Sequence, residues 1–257
     1  MCYPKLIMIH RKSRYELKIM KAAGEIVAMA HEAVKDAIKE GVSTWELDEI
    51  VYNVIIKNKA IPTFKGYCGF PASICASINE QVVHGIPSKD VILKNGDVVS
   101  IDIGATYRGF VGDSAWTYAV GEVSEDAKRL MKATEEALYA GIAQMQEGKY
   151  LEDVSAAIED VAIANNLGIV RQYGGHGVGT EMHEDPFLFN YRTGDRGPLL
   201  KAGTVIAIEP MLNLGCDDVF QLDDGWTVVT ADNKPSAHFE HTVAVTSDGP
   251  LILTKRD

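Results

Sequence analysis

Leu93-Lys94-Asn95-Gly96-Asp97-Val98-Val99-Ser100-Ile101-Asp102 returns 107 positions later as Leu200-Lys201-Ala202-Gly203-Thr204-Val205-Ile206-Ala207-Ile208-Glu209. The same offset aligns Glu40-Gly41 with Glu147-Gly148, Leu47 with Val154, Val54 with Val161, Ile56 with Ile163 and Asn58 with Asn165. Generic helix and strand text can match once by coincidence. Two separated segments that agree at one offset indicate an internal repeat. The chain therefore reads as two related α/β halves, roughly 13–122 and 123–250, packed about an approximate twofold axis. Asp102 and Glu209 fall in equivalent places, and a cleft between such halves is a natural location for a site. No Pro/Gly/Ser-rich linker separates the halves, so residues 1–257 read as a single domain.

Working outward, Ser13 with Glu16 has the form of a capping box opening a helix through Ile19, Ile26, Val34 and Ile38, closed by Gly41. Ser43 with Glu46 repeats the signal for a helix carrying Leu47, Ile50, Val51 and Val54 on one face. Two more helical stretches are predicted near 125–147 and 151–165. Val98–Ile103, Val111–Val120, Val205–Ile208 and Thr242–Val245 have the β-branched content and alternation of strands.

The 257 residues are 46% hydrophobic and 24% charged, values that support a sizeable core. The formal charge of −11 is spread without long runs of one sign. That argues against a general nucleic-acid or membrane binder, which depends on clustered Lys and Arg. The four cysteines, Cys2, Cys68, Cys75 and Cys216, form no CxxC pair and read as reduced thiols of a cytoplasmic protein. No apolar run approaches the ~18 residues of a membrane span. The short apolar Leu6–Ile9 stretch precedes Arg11, Lys12 and Arg14, the wrong order for a signal peptide.

The chemistry lies in acids placed where strands should be. Asp102 ends an apolar strand, and Gly109 supplies the turn to the next. A loop of Thr106 to Gly109 would set Asp102 directly opposite Asp113; a two-residue loop at Arg108-Gly109 would make them diagonal neighbours. Either way the two carboxylates share a face and repel unless a cation lies between them. Glu209 and Glu240 stand in equally strand-like runs, Ile206-Ala207-Ile208-Glu209-Pro210 and His238-Phe239-Glu240-His241-Thr242. An isolated ionised carboxylate in such surroundings is very costly. His176 lies in the glycine-rich Tyr173-Gly174-Gly175-His176-Gly177-Val178-Gly179, where glycines permit unusual backbone angles and close approach. A phosphate loop is disfavoured there, because no Lys-Ser/Thr follows and Glu181, Glu184 and Asp185 are nearby. Four carboxylates and one neutral imidazole balance two divalent ions. His84 alone is uninformative, His10 and His31 read as surface residues, and His241 should face away from Glu240 by strand alternation.

The order Asp102, Asp113, His176, Glu209, Glu240 is similar to the ligand pattern of the pita-bread metallopeptidases, and the surrounding text most resembles type I methionine aminopeptidases. The resemblance spans nearly the whole chain. Its most specific stretches are Ser77-Ile78-Asn79-Glu80 with Val83-His84-Gly85-Ile86-Pro87, Gly175–Gly179, Ala207-Ile208-Glu209-Pro210 and Glu240-His241-Thr242. It implies a pseudo-twofold α+β fold, an antiparallel sheet covered by helices. It implies that Asp102 and Asp113 bind one ion, that Asp113 and Glu240 bridge to a second, and that His176 and Glu209 complete that second site. A hydroxide between the ions would attack the first peptide carbonyl, with Glu209 also handling protons. His84 and His183 would position the peptide and stabilise its oxyanion. Tyr67, Phe70, Cys75, Met182 and Trp226 would form the methionine pocket, Met182 standing where an aromatic is expected. Asn79 and Ser236 match positions linked to a monovalent cation. The resemblance further implies nascent polypeptide N-termini as substrates, a small second residue (Gly, Ala, Ser, Cys, Thr, Pro or Val), a monomer and contact with the ribosome, although no basic patch argues for the last. Cys2 makes Met1 of this chain itself a substrate candidate. The metal could be cobalt, manganese or iron, which all suit oxygen-rich sites with one imidazole.

Two other readings compete. A prolidase or aminopeptidase P uses nearly the same ligands, but resembles longer chains with an extra N-terminal domain. A non-catalytic binding protein on this scaffold is expected to have lost ligands, and all five candidates are present. The 26 positions from His183 to Glu209 leave no room for the helical insertion of the type II enzymes.

Overall fold

The computed structural model describes residues 8–255; Cys2, Met1 and the first part of the Leu6–Ile9 stretch lie outside these. Helix α1, Arg14–Ala37, starts at Ser13, whose hydroxyl accepts from Glu16 N while the Glu16 carboxylate accepts from Ser13 N. Helix α2, Thr44–Lys57, opens with the same reciprocal pair, Ser43 and Glu46. Such boxes satisfy two amide donors that a bare helix end leaves unpaired. Helices α3, Glu125–Gln144, and α4, Leu151–Ala164, occupy the second half.

All strand pairs are antiparallel. In the first half, β4 (Val98–Tyr107) pairs on one side with β5 (Phe110–Ala119) and on the other with β1 (Ile61–Pro62) and β2 (Ile74–Ile78). In the second half the order is β15 (Gly249–Ile252), β14 (His241–Thr246), β9 (Val205–Ile208), β7 (Gly175–Gly177), β8 (Glu184–Leu188). Two small sheets complete the structure. One joins β13 (Ser236–His238), β10 (Met211–Asn213) and β6 (Gly168–Ile169); the other joins β11 (Val219–Gln221), β12 (Val228–Thr230) and β3 (Gln81–Val83).

The repeat is visible in individual hydrogen bonds. Gly41 N donates to Leu93 O, and Gly148 N donates to Leu200 O. Isolated bridges join Ser43 to Ile92 and Tyr150 to Leu199. Asn58 Nδ2 caps Val54 O, and Asn165 Nδ2 caps Val161 O. Each pair differs by 107 positions.

Each half has its own core. One packs Val27, Ala30, Val34, Leu47, Val51 and Ile55 of α1 and α2 against Val99, Ile101 and Ile103 of β4. The other packs Leu130, Ala137, Leu138, Val154 and Ile158 of α3 and α4 against Ile206, Ile208 and Val243. Alternation then sends the intervening side chains of β4 and β5 to the opposite face, away from the helices. His31 is a correction to the surface reading, being 1% exposed. Its ring lies against Tyr118 Oη at 3.0 Å and Ser114 O at 2.9 Å. It shares the i, i+3, i+4 stripe of Val27, Ala30 and Val34, which carries it onto the buried face.

Helix α1 reaches β5 at a backbone-to-backbone contact. A Cβ at Gly112 would stand 2.7 Å from Gly24 N and 2.8 Å from Ala23 C, so neither chain can yield without moving the helix. Gly112 faces α1, and Asp113 next to it therefore faces the junction of the halves. Gly112→Ala should destabilise the protein by about 1–3 kcal/mol, the usual cost of overpacking. Urea unfolding checks this, and an unchanged midpoint would show that the contact has slack.

Candidate metal centre and adjoining pocket

The hairpin of β4 and β5 turns through Arg108 and Gly109, both with left-handed φ (49° and 80°), and pairs Tyr107 with Phe110. This is the two-residue loop, whose positive φ angles suit the twist of the strands. Asp102 lies opposite Ala115 and Asp113 opposite Gly104, so the two acids are diagonal neighbours on one face.

The second half is sewn onto this hairpin at the acids themselves. Thr242 Oγ1 donates to Asp113 O at 2.8 Å and accepts from Asp113 N at 3.1 Å. Glu240 N donates to Ala115 O at 2.8 Å, and Ser114 Oγ donates to Glu240 O at 2.6 Å. Glu240 is thereby placed beside Asp113. Strand β9 pairs with both β14 and β7, which brings Glu209, just past its end, and His176 to the same spot. One ligand atom each from Asp113, His176 and Glu240 lies within 4.8 Å of the others. His176 Nε2 is 3.7 Å from Asp113 Oδ2 and 3.5 Å from Glu209 Oε1.

The glycines around His176 do not act through unusual backbone angles, since none of Gly174, Gly175, Gly177 or Gly179 has positive φ. They act through close approach: a Cβ at Gly177 would collide with the carbonyl of Asp185. A left-handed residue does occur at the site, but it is His84, at φ 61°. Strain of this kind in a non-glycine residue persists only where its surroundings enforce it.

Burial first, and then mutual repulsion, pushes the carboxyl groups of Asp102, Glu209 and Glu240 well above their ordinary range. Asp113 is pushed up to about 7 by burial, held back from rising further by hydrogen bonds from Glu240 and Asp102. Burial pushes His176 down to about 3 and His84 to about 4, in both cases aided by His183, so both rings are neutral near pH 7. Burial lowers His183 as well. Asp102 Oδ1, Asp113 Oδ1 and Glu240 Oε1 are buried with no hydrogen-bond partner. Buried polar atoms are rarely left so; Asp113 and Glu240, whose ligand atoms cluster with that of His176, fit a divalent cation, while Asp102 is not one of that group of three.

An apolar cavity of about 190 Å³ adjoins the acids. Its walls include Tyr67, Phe70, Cys75, Met182 and Trp226, together with Phe64 and Cys68, which the sequence reading left out. Drug-sized pockets run to roughly 300–1,000 Å³, so this one is scaled to a single side chain. Phe70 and Trp226 meet edge-on at 5.0 Å between ring centres. His84 and His183 line the same cavity as the acids, with Tyr67 Oη 2.8 Å from His183 Nδ1. A wider crevice along Val83, His84, Gln172, Tyr173 and Phe187 leads outward from the same point. Asn79 and Ser236 are also neighbours, Ser236 N donating to Asn79 O at 2.8 Å. His241 turns away, as alternation requires, with Nδ1 2.9 Å from Thr254 Oγ1.

His238 was missed. Its Nε2 lies 3.7 Å from Glu209 Oε2 and 4.0 Å from Glu240 Oε2. The signal was its place two residues before Glu240, on the same face of an extended run.

Residues 18–247 match the model of metallopeptidase family M24. The chain is 52% identical over 248 residues to methionine aminopeptidase 1 of Bacillus subtilis, covering 96% of this chain and 100% of that one. The crystal structure of methionine aminopeptidase from Thermotoga maritima superposes with a TM-score of 0.95 at 43% identity, over 97% of this chain and 100% of the other. The prolidase from Pyrococcus furiosus shares the fold at a TM-score of 0.73 and 24% identity, and this chain spans 66% of it. Among the described residues no helix is long and apolar enough to cross a membrane.

Two opposed terms set the pH response of the metal-free protein. Raised carboxyl groups keep protons that the unfolded chain releases, so folding weakens as pH climbs from about 4 through 7. Lowered histidines act oppositely, but only up to their ordinary value of 6.5. Above that only the carboxyl effect remains, worth about 1.4 kcal/mol per pH unit for each retained proton. Bound cations would ionise the acids and remove the effect. The gap in melting temperature between metal-loaded and chelator-stripped protein should therefore widen from pH 6.5 to 8. A constant gap would mean that the acids do not hold the metal.

Proposed function

We propose, for a chain that belongs to metallopeptidase family M24 and removes N-terminal methionine with the help of metal ions, that its five clustered ligands form a dinuclear centre and its apolar cavity receives the methionine side chain. The buried cluster of Asp113, His176 and Glu240, with Asp102 and Glu209 lining the same cavity and three acid oxygens left without a partner, supports this reading.

In it, Asp102 and Asp113 would hold one ion, His176 and Glu209 would hold the other, and Asp113 and Glu240 would be shared between the two. The donor set, oxygen-rich with one imidazole, suits manganese, iron or cobalt. When bound, the ions polarise the scissile carbonyl and make water a nucleophile near neutral pH. Glu209 holds and returns the proton. His84 and His183, kept neutral by burial, donate hydrogen bonds to the peptide carbonyl and its oxyanion. Tyr67, kept protonated by burial, donates to His183 Nδ1 and so fixes the tautomer that carries its proton on Nε2. Tyr67, Phe70, Cys75, Met182 and Trp226 enclose the methionine thioether. Burial and the neighbouring acids keep the Cys75 thiol protonated, so it serves as wall rather than ligand.

The rest of the nascent chain leaves along the crevice beside His84 and Tyr173, and a small second residue is favoured. A monovalent cation near Asn79 and Ser236 would employ Asn213 Oδ1, which is buried without a partner in register with Ser236. We further assign the chain to the cytoplasm, as a single-domain monomer meeting its substrates at the ribosome.

Chelation should abolish activity, and Mn²⁺, Co²⁺ or Fe²⁺ should restore it. Asp113→Ala should lower turnover beyond the roughly 10–100-fold typical of lost outer partners, with an unchanged circular dichroism spectrum; near-normal rates would remove its bridging role. Methionine should be released from Met-Ala-Ser much faster than Xaa-Pro peptides are cut. The reverse preference, read by chromatography of the products, would overturn the substrate assignment.

A further inference from the structure

His238 ends strand β13, opposite Met211 of β10. Its backbone is pinned by Thr117 Oγ1, which accepts from His238 N and donates to His238 O, each at 2.9 Å. The residue is 2% exposed, and Nε2 is buried with no hydrogen-bond partner. Two carboxylates face it, Glu209 Oε2 at 3.7 Å and Glu240 Oε2 at 4.0 Å. Once bound cations ionise the acids, a lone pair on Nε2 would face two negative groups. The tautomer that carries the proton on Nε2 turns that repulsion into attraction.

Glu209 is thus flanked by two imidazoles, one on each oxygen. His176 Nε2 lies 3.5 Å from Oε1, a spacing suited to two ligands of one ion, whereas His238 faces Oε2. We propose that His238 is a positioning residue, whose Nε2–H closes onto Glu209 Oε2 and leaves Oε1 directed at the ion shared with His176. This rests on the dinuclear reading above. A carboxylate fixed at one oxygen cannot swing to grip the ion with both or rotate out of the site. Partners of this kind commonly contribute 10–100-fold to metal affinity.

The test compares wild type, H238F and H238Q, each stripped with chelator and titrated with Co²⁺ by calorimetry and visible absorption. Phe fills the space of the ring without a donor, and the carboxamide of Gln carries N–H to about where Nε2 stands. The expected result is a loss of about 10–100-fold in affinity for one of the two ions in H238F, with an altered spectrum for that ion only. H238Q should fall short of a 10-fold loss. Should H238F not fold, H238A replaces it, with imidazole added to the solution; recovery of the second ion's affinity supports the role, and no recovery overturns it. The proposal is overturned if H238F binds both ions with wild-type affinity and spectrum, or if H238Q is as impaired as H238F. A wild-type protein that takes up fewer than two ions would instead bring down the dinuclear reading itself.

Discussion

Four carboxyl groups brought into one poorly solvated junction repel each other, and the rest of the molecule is arranged around tolerating that. At these separations two unit charges interact by about 4 kcal/mol even when partly shielded. No single strand could hold such a cluster against its own repulsion. The strain is shared because Asp113 and Glu240 are locked through their backbones, by Thr242, Ser114 and Ala115, rather than through the carboxylates. The charged ends stay free for cations while the main chain is held by ordinary hydrogen bonds. Helices cover the far face, and the close fit of Gly112 to Gly24 sets how near that cover sits.

The duplicated scaffold was legible in the chain because a repeat writes itself into helix caps, glycine turns and strand ends alike. The correspondence breaks in one place. Asp102 and Glu209 are 107 positions apart, but Asp113 and Glu240 are 127 apart. The additional residues lie between β10 and β13 and include β11, β12 and Trp226. Strand β12 pairs with β3 of the other half, which brings Trp226 against Phe70 and His84. Periodicity could not reveal this, since the excursion has no counterpart to be compared with. Symmetry thus relates Asp102 to Glu209, and a departure from symmetry walls the pocket.

Other features were written in the sequence but needed a different question. His31 belongs to an apolar helical stripe, and its polarity obscured its position. His238 sits in phase with Glu240, yet an acid in a strand draws notice and a histidine beside it does not. The hairpin loop was open between two registers until the Tyr107–Phe110 pairing settled it. Cavity volume, and the inclusion of Phe64 and Cys68 in the wall, depend on contacts between distant segments that no local pattern encodes.

The partition of the proposed ligands between the halves has a temporal consequence. Asp102 and Asp113 share a hairpin closed by two residues, a contact so local that it forms within microseconds once the segment is free. His176, Glu209 and Glu240 belong to the other half and are synthesised long afterwards. On the ligand set proposed above, an ion would meet only Asp102 and Asp113 until the later residues have left the peptidyl-transferase centre and Glu240 has docked on β5. On that reading metallation is a late event in the life of each molecule, and the newborn polypeptide passes through an acidic stage that still lacks most of its ligands.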